Sequence, residues 1–249
     1  MLLPNWPAPK NIKSAVTFRN LTGGVSQPPF DRFNTALHVG DNPEAVTENR
    51  SQLQQLLQLK AEPQWLDQIH GTEVLELTQG FSSQPPVADA SYTKDADVVC
   101  VIQTADCLPV LFCNEAGTQV AAAHAGWRGL AAGVLENTLA KFTGDSPVMA
   151  WLGPAISQVA FEVGPEVKEA FLDAGNVPQA AVEAAFIPSE TPGKLKANLY
   201  ALARQRLQAA GVSQVYGAGF CTFLDHKRFY SYRRDGETGR MASLIWINA

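Results

Sequence analysis

Two short stretches bring reactive side chains to the ends of apolar runs. Thr104-Ala105-Asp106-Cys107-Leu108-Pro109 lies between VVCVIQ and LPVLFC, and His124-Ala125-Gly126-Trp127-Arg128-Gly129 follows VAAA. A thiol and an imidazole at the ends of neighbouring buried strands suit either metal ligation or a nucleophile with its base. The chain holds only four histidines, His38, His70, His124 and His226. A lone histidine beside an apolar strand is usually structural. His70 and His124 differ in that each ends a strand-like segment and is followed at once by turn glycine (His70-Gly71, His124-Ala125-Gly126). Glycine there lets a ligand come close to the backbone.

Cys107 stands apart from Cys100 and Cys113, which lie inside apolar runs and read as core. It follows Asp106, a residue that is hard to bury without a partner. Asp106 would either orient a ligand histidine from behind or cap the turn. His70, Cys107 and His124 together supply two imidazoles and one thiolate. Zinc accepts that set, and three protein ligands with an open fourth position are the catalytic arrangement. The same residues also fit a cysteine nucleophile with a histidine base and an aspartate orienter. The long spacings carry no local metal signature.

The elements that must position these groups follow from patterning. Asp97–Gln103, Leu108–Cys113 and Gln119–Ala123 are nearly continuous apolar strands, which implies burial on both faces. Ala15–Arg19 reads as a first strand. Trp65–Ile69 and Glu73–Leu77 read as two arms of a hairpin, and Val148–Leu152, Val215–Gly219 and Met241–Ile247 as later strands. Asn42-Pro43 starts a helix to about Leu59, with Asn as N-cap and Pro at the first helical position. Further helices are expected over Leu130–Phe142, Pro165–Asp173 and Ala197–Ala210, the last capped by Gly211. Gln79–Ala90 reads as a loop, Asn176–Pro192 as a short helix and a loop, and Phe229–Arg234 as a strand end or loop. Strands and helices mix without clean βαβ alternation. The expected fold is therefore α+β, one layered domain of mixed β-sheets flanked by helices over residues 1–249.

Composition narrows the function classes. With 46% apolar and 17% charged residues, the chain is an ordinary folded protein. A net charge of -5 and the lack of any Lys/Arg block argue against nucleic acid as a partner. No run of about 18 apolar residues is present, so no membrane span is expected. None of the four cysteines forms a CxxC pair, and the start, MLLPNWPAPKN, lacks the basic and apolar regions of a signal peptide. The expectation is reduced thiols in a cytoplasmic monomer. Walker, GxGxxG and Gly-x-Ser-x-Gly motifs are all absent. The candidate cations for an anionic substrate are Arg50, Arg128, Arg233 and Arg234.

Six segments, FNTALHVGDNPEAVTENR, QIHGTEV, TADCLPVLF, HAGWRGL, WLGPAIS and FYSYRRDGETGRMASLIW, run in this order over most of the chain. With them the sequence resembles the bacterial YfiH-like family, long labelled laccase-like or multicopper polyphenol oxidase. The resemblance implies a layered α+β domain and a zinc site whose ligands carry over onto His70, Cys107 and His124. It implies purine nucleoside chemistry: cleavage of adenosine, inosine or methylthioadenosine with phosphate, and deamination of adenosine. A role in peptidoglycan precursor editing is also described for the family, and copper in the same site would account for oxidase activity in vitro. A true laccase needs roughly ten histidines for its copper centres, and this chain has four. On this reading Asp106 is the expected acid, Arg50 the expected phosphate ligand and Asn34 a nucleoside ligand. Cys107 as a nucleophile with His124 as base, in an amidohydrolase, is the rival enzyme reading. A metal- or nucleotide-binding protein without turnover is the non-enzyme one.

Overall fold

The computed structural model describes residues 1–80 and 82–249. In chain order they form β1 (Ile12–Val16), a 3-10 turn at Leu37–Val39, α1 (Pro43–Leu56), β2 (Val74–Glu76), β3 (Ala90–Thr93), β4 (Val99–Thr104), β5 (Leu108–Asn114) and β6 (Val120–Ala125). Next come α2 (Trp127–Ala132), α3 (Val134–Leu139), β7 (Val148–Leu152), β8 (Glu162–Val163), α4 (Pro165–Asp173), α5 (Gln179–Ala184), β9 (Phe186–Pro188) and β10 (Leu195–Ala197). The chain closes with α6 (Leu199–Ala209), β11 (Gln214–Gly217), α7 (Tyr232–Asp235) and β12 (Met241–Ile247). A six-stranded mixed sheet runs β11-β7-β5-β6-β3-β2, an antiparallel sheet runs β1-β12-β4, and a small third sheet runs β8-β10-β9.

The apolar runs are continuous because each central strand is covered on both sides. In β4, Cys100 and Ile102 point into the core between the two large sheets, while Val99 and Val101 face α1 together with Leu53, Trp65 and Trp246. In β5, Leu111 and Cys113 face the inter-sheet core, while Leu108, Val110 and Phe112 face the helices. β6 alternates likewise, with Ala122 on one side and Ala121 and Ala123 on the other. A strand alternates its side chains with period two, so two apolar layers require an apolar residue at every position. The result is four layers: α1, the antiparallel sheet, the mixed sheet, and the helices around α2, α3 and α6.

Several expected boundaries move. The first strand is Ile12–Val16, earlier than Ala15–Arg19, because it pairs with the full length of β12. The expected hairpin does not form. Trp65–Ile69 makes only an isolated bridge at Asp67, and β2 pairs in parallel with β3, which starts at the end of the expected Gln79–Ala90 loop. The Leu130–Phe142 helix starts earlier, at Trp127, and is broken into α2 and α3 at Gly133, whose φ of 104° ends the first helix in a left-handed cap. Phe229–Arg234 leads into the short helix α7, with Ser231 as its N-cap accepting from Arg234 N. The Asn42 cap, Pro165–Asp173 and Met241–Ile247 stand as expected.

The candidate site lies at one end of the two large sheets. The chain leaves β4 in one sheet and enters β5 in the other, so the turn Ala105–Cys107 bridges the layers. Register brings the other edges there: Met241 opposite Thr104, and His124 opposite Pro109.

Candidate metal centre and its cavity

Cys107 leaves the β4–β5 turn next to Asp106, whose φ is 90°. His70 sits at φ 63°. Left-handed backbone at two non-glycine neighbours of one cavity is a local strain that the surrounding bonds must hold. His124 lies within β6 and is buried, while Cys107 is half-buried and His70 exposed. The three donor atoms lie within 4.8 Å of one another, and Cys107 Sγ stands 3.8 Å from His70 Nε2. The two imidazole rings meet edge to face at 4.7 Å between centroids. Glycine at 126 leaves room for this convergence. A Cβ there would come within 2.9 Å of His70 Cδ2 and 3.0 Å of Cys107 Sγ.

The orienting carboxylate is Asp89, not Asp106. β3 pairs with β6 so that Asp89 O accepts from His124 N at 2.7 Å, and the Asp89 carboxylate meets His124 Nδ1 at 2.8 Å. The same carboxylate accepts from the backbone N–H of His70 at 2.9 Å, of Gly71 at 2.6 Å and of Ile69 at 3.2 Å. One fully buried carboxylate thus fixes both histidines, and Nδ1–H facing it leaves His124 Nε2 for the cavity. Asp89 fell in a stretch read as loop, so its register opposite His124 was invisible.

The electrostatics follow from this packing. Burial opposes ionisation of Cys107, but the adjoining His124 charge and hydrogen bonds from His124 and His70 outweigh it, and the thiol falls to about 6. Burial also opposes the His124 imidazolium, yet the Cys107 thiolate and the Asp89 carboxylate outweigh it, raising that imidazole to about 9. Asp89 resists its own burial, and bonds from His124, Gly71 and His70 hold it below the usual carboxylate range. Burial pushes the Cys100 and Cys113 thiols up to about 12, in Cys100 against opposing hydrogen bonds, as core thiols should be.

The donors open on a cavity of about 350 Å³. Its other walls come from Thr104 and Ala105, from Gln68 and Gln103, and from His38, Tyr232 and Arg240. His38, Tyr232 and Arg240 also line a neighbouring chamber of about 470 Å³ with Glu237 and Thr238. Three residues expected to act on substrate are not in this lining. Asp106 is buried, with one carboxylate oxygen accepting from Thr222 Oγ1 at 2.6 Å and the other from Ser231 Oγ at 3.0 Å and Arg233 N at 2.7 Å. It ties the Cys107 turn to the segment carrying Tyr232. Asn34 is fully buried, and its amide bonds Ala36 O, Ala36 N, Asp41 and Arg240 N. Arg50 stacks on Trp65 at 3.9 Å and donates to Thr35 O at 2.8 Å, and burial lowers its pKa to about 10 against the pull of Glu62. Arg128 lies over Trp127, while Arg233 and Arg234 hold backbone carbonyls, and none of the three lines the cavity. The cation that does is Arg240. The available signal was its place as the charged residue directly before a buried strand.

The sequence profile of a family described as multi-copper polyphenol oxidoreductase laccase matches residues 14–248. A Pseudomonas aeruginosa protein named as a purine nucleoside phosphorylase is 53% identical over 248 residues, 99% of this chain and 98% of that one. Escherichia coli YfiH, also named a purine nucleoside phosphorylase, is 51% identical over 250 residues, with 99% and 98% covered. The chain belongs to the YfiH family. A solved Neisseria meningitidis structure superposes at a TM-score of 0.89 with 52% identity, covering 100% of this chain and 99% of that one. YlmD of Geobacillus stearothermophilus superposes at 0.83 with 30% identity, over 96% and 93%. The family's oxidase label meets a plain limit in this YfiH member: four histidines, of which two converge with a cysteine in the one three-donor cluster found among the described residues. The donor set itself fits zinc or a soft copper ion, because thiolate and imidazole both suit them. No described helix is long and apolar enough to cross a membrane.

Proposed function

We propose that this chain is a zinc-dependent purine nucleoside phosphorylase that cleaves adenosine, inosine or methylthioadenosine with inorganic phosphate, and that it also deaminates adenosine. The carrying observation is the convergence of two imidazole nitrogens and a thiolate on one open cavity. The names of the relatives from Pseudomonas aeruginosa and Escherichia coli support the phosphorylase half. In this reading His70, Cys107 and His124 hold the ion and Asp89 fixes both histidines. A zinc ion there would supply Lewis-acid polarisation of an oxygen presented at its open position.

In phosphorolysis a phosphate oxygen forms a bond to the sugar C1′. The C1′–N9 bond breaks, its electron pair leaves on the purine, and the purine takes the proton that the attacking phosphate gives up. The chain's own contribution is to hold the two reactants in line and to supply positive charge where the oxyanion sits. Asp106 serves by position: its bonds to Ser231 and Arg233 N keep the Tyr232 wall against the Cys107 turn. The protein works as a cytoplasmic monomer on small molecules.

A second reading has its own observation. The Asp89 carboxylate meets His124 Nδ1, and Cys107 Sγ lies within 4.8 Å of a His124 ring nitrogen, an order that a hydrolase triad would use. Hydrolysis of an amide, as in peptidoglycan precursor editing, would use that array. The second imidazole, His70, is what favours metal, since a triad has no use for it. One experiment separates them: metal analysis of the purified protein beside product analysis of adenosine with and without phosphate. The zinc reading expects about one zinc per chain and adenine released only with phosphate, and inosine formed without it reports deamination. Phosphorolysis at full rate in a zinc-free Cys107→Ala protein would overturn it.

A further inference from the structure

We infer that Arg240 is the oxyanion-binding residue of this cavity, seated where the metal chamber meets its neighbour, and that its ligand is a tetrahedral oxyanion of the phosphate class. The inference rests on the phosphorolytic reading for its catalytic meaning, but it stands on the geometry of the residue. Arg240 lines both chambers, as do His38 and Tyr232. Its guanidinium donates from Nη1 to the carbonyls of Thr238 at 2.8 Å and Gly239 at 3.0 Å. Among the described residues Nε and Nη2 have no hydrogen-bond partner and no carboxylate stands within salt-bridge reach. Arg19, Arg206, Arg228 and Arg234 each hold one. Arg240 is half-buried, with its guanidinium 5.9 Å from the Tyr232 ring centroid, and a guanidinium with two unfilled donors in a cavity lining is suited to a bidentate oxyanion.

The backbone around it is held as a binding residue requires. Arg240 N donates to Asn34 Oδ1 at 2.9 Å, and Arg240 O accepts from Thr35 Oγ1 at 3.2 Å. The next residue, Met241, starts β12 opposite Thr104. Asn34 Oδ1 also accepts from Ala36 N at 3.0 Å, so one buried amide fixes both Arg240 and the loop that carries His38. Gly239 is closed to any side chain, since a Cβ there would stand 2.7 Å from Tyr230 Cζ and 2.9 Å from Asn34 Cβ. In a chain of net charge -5, a local cation favours the entry of an anion.

The test uses the metal-loaded enzyme and inorganic phosphate. Arg240→Gln is expected to raise the KM for phosphate by about 10- to 100-fold. The KM for the nucleoside and the zinc content should stay within about twofold, because the donors are held separately by Asp89. Arg240→Lys, which keeps the charge and loses the fork, should fall between the two. Phosphate should raise the melting temperature of the parent enzyme, an effect that Arg240→Gln abolishes. If the parent shows that shift without phosphorolysis, the proposed reaction fails and the subsite stands. If phosphorolysis is robust and neither Arg240 variant changes the phosphate KM, or only Arg50→Gln does, the subsite assignment is overturned. Should Arg240→Gln fail to fold, Arg240→Lys carries the same decision.

Discussion

The two walls of the cavity are held by different physics. The donor wall is built from strand ends, the β4–β5 turn and β6, and depends on one ionised carboxylate: Asp89 bonds the His124 ring and three consecutive backbone N–H groups. The Arg240 wall is built from the segment before β12 and the loop before α1. It is held mainly by neutral amides and hydroxyls: Asn34 on Arg240, and Asn49 on Ser26 and Asn34 O, with Asp41 accepting from Ser26 and Asn34. A charge-centred wall keeps three donors in one geometry and fixes their protonation. The second network, in which Asp41 is an end acceptor, mainly fixes backbone shape. Damage to the first should therefore appear in metal affinity, and damage to the second in substrate terms.

The largest effect on the donor wall is expected from Cys107→Ala. Losing one of three ligands should lower zinc affinity by more than about 100-fold, because zinc–protein binding of about 10–16 kcal/mol is shared among few ligands. Competition with a chromophoric chelator measures it. Asp89→Asn comes next. It keeps the volume and removes the charge, and loss of such a partner typically lowers metal affinity or activity by about 10- to 100-fold. Zinc retention as tight as in the parent would show that the histidines are held by something else.

Removing the metal should expose a reactive thiolate. With burial outweighed by His124 and His70, the Cys107 thiol lies at about 6. Above that pH the chelator-stripped protein carries a thiolate, so iodoacetamide should react at a plateau rate from about pH 7. The rate should fall about tenfold per unit below pH 6. Cys100 and Cys113, at about 12, should stay unmodified in the folded protein, and added zinc should block Cys107. A rate that climbs through pH 8–9 like that of an ordinary thiol would contradict the ion pair. The smallest effect belongs to the second wall. Asn34→Ala leaves Arg240 N and Ala36 N without their acceptor, at a cost of about 1–3 kcal/mol. Calorimetry should show melting lowered by roughly 3–10 °C. Zinc affinity should hold, while the phosphate KM rises several-fold.

The sequence made the donor wall legible and most of the second wall not. His70, Cys107 and His124 could be grouped because each ends an apolar or strand-like segment beside a turn, and those patterns are local. The layered α+β fold was legible for the same reason: β4, β5 and β6 are apolar at every position because each is covered on both faces. Asp89 could not be found, since its role depends on the register of β3 against β6, a non-local pairing. Asn34 and Arg50 drew attention as polar residues in a motif-rich stretch. Burial turned both inward, Asn34 onto backbone and Arg50 onto Trp65. Asp106 was rightly read as needing a partner. Which partner was a tertiary matter, decided by Thr222, Ser231 and Arg233 more than 100 residues away.

The proposed reaction depends on a three-donor metal centre. Its most direct test is X-ray absorption at the zinc edge on the purified enzyme, with phosphorolysis of adenosine followed as metal is stripped and restored. One sulfur and two imidazole nitrogens are expected around zinc with one further light atom, and activity should disappear and return in proportion to bound zinc. A zinc shell without sulfur, or undiminished phosphorolysis after complete removal of metal, would contradict it.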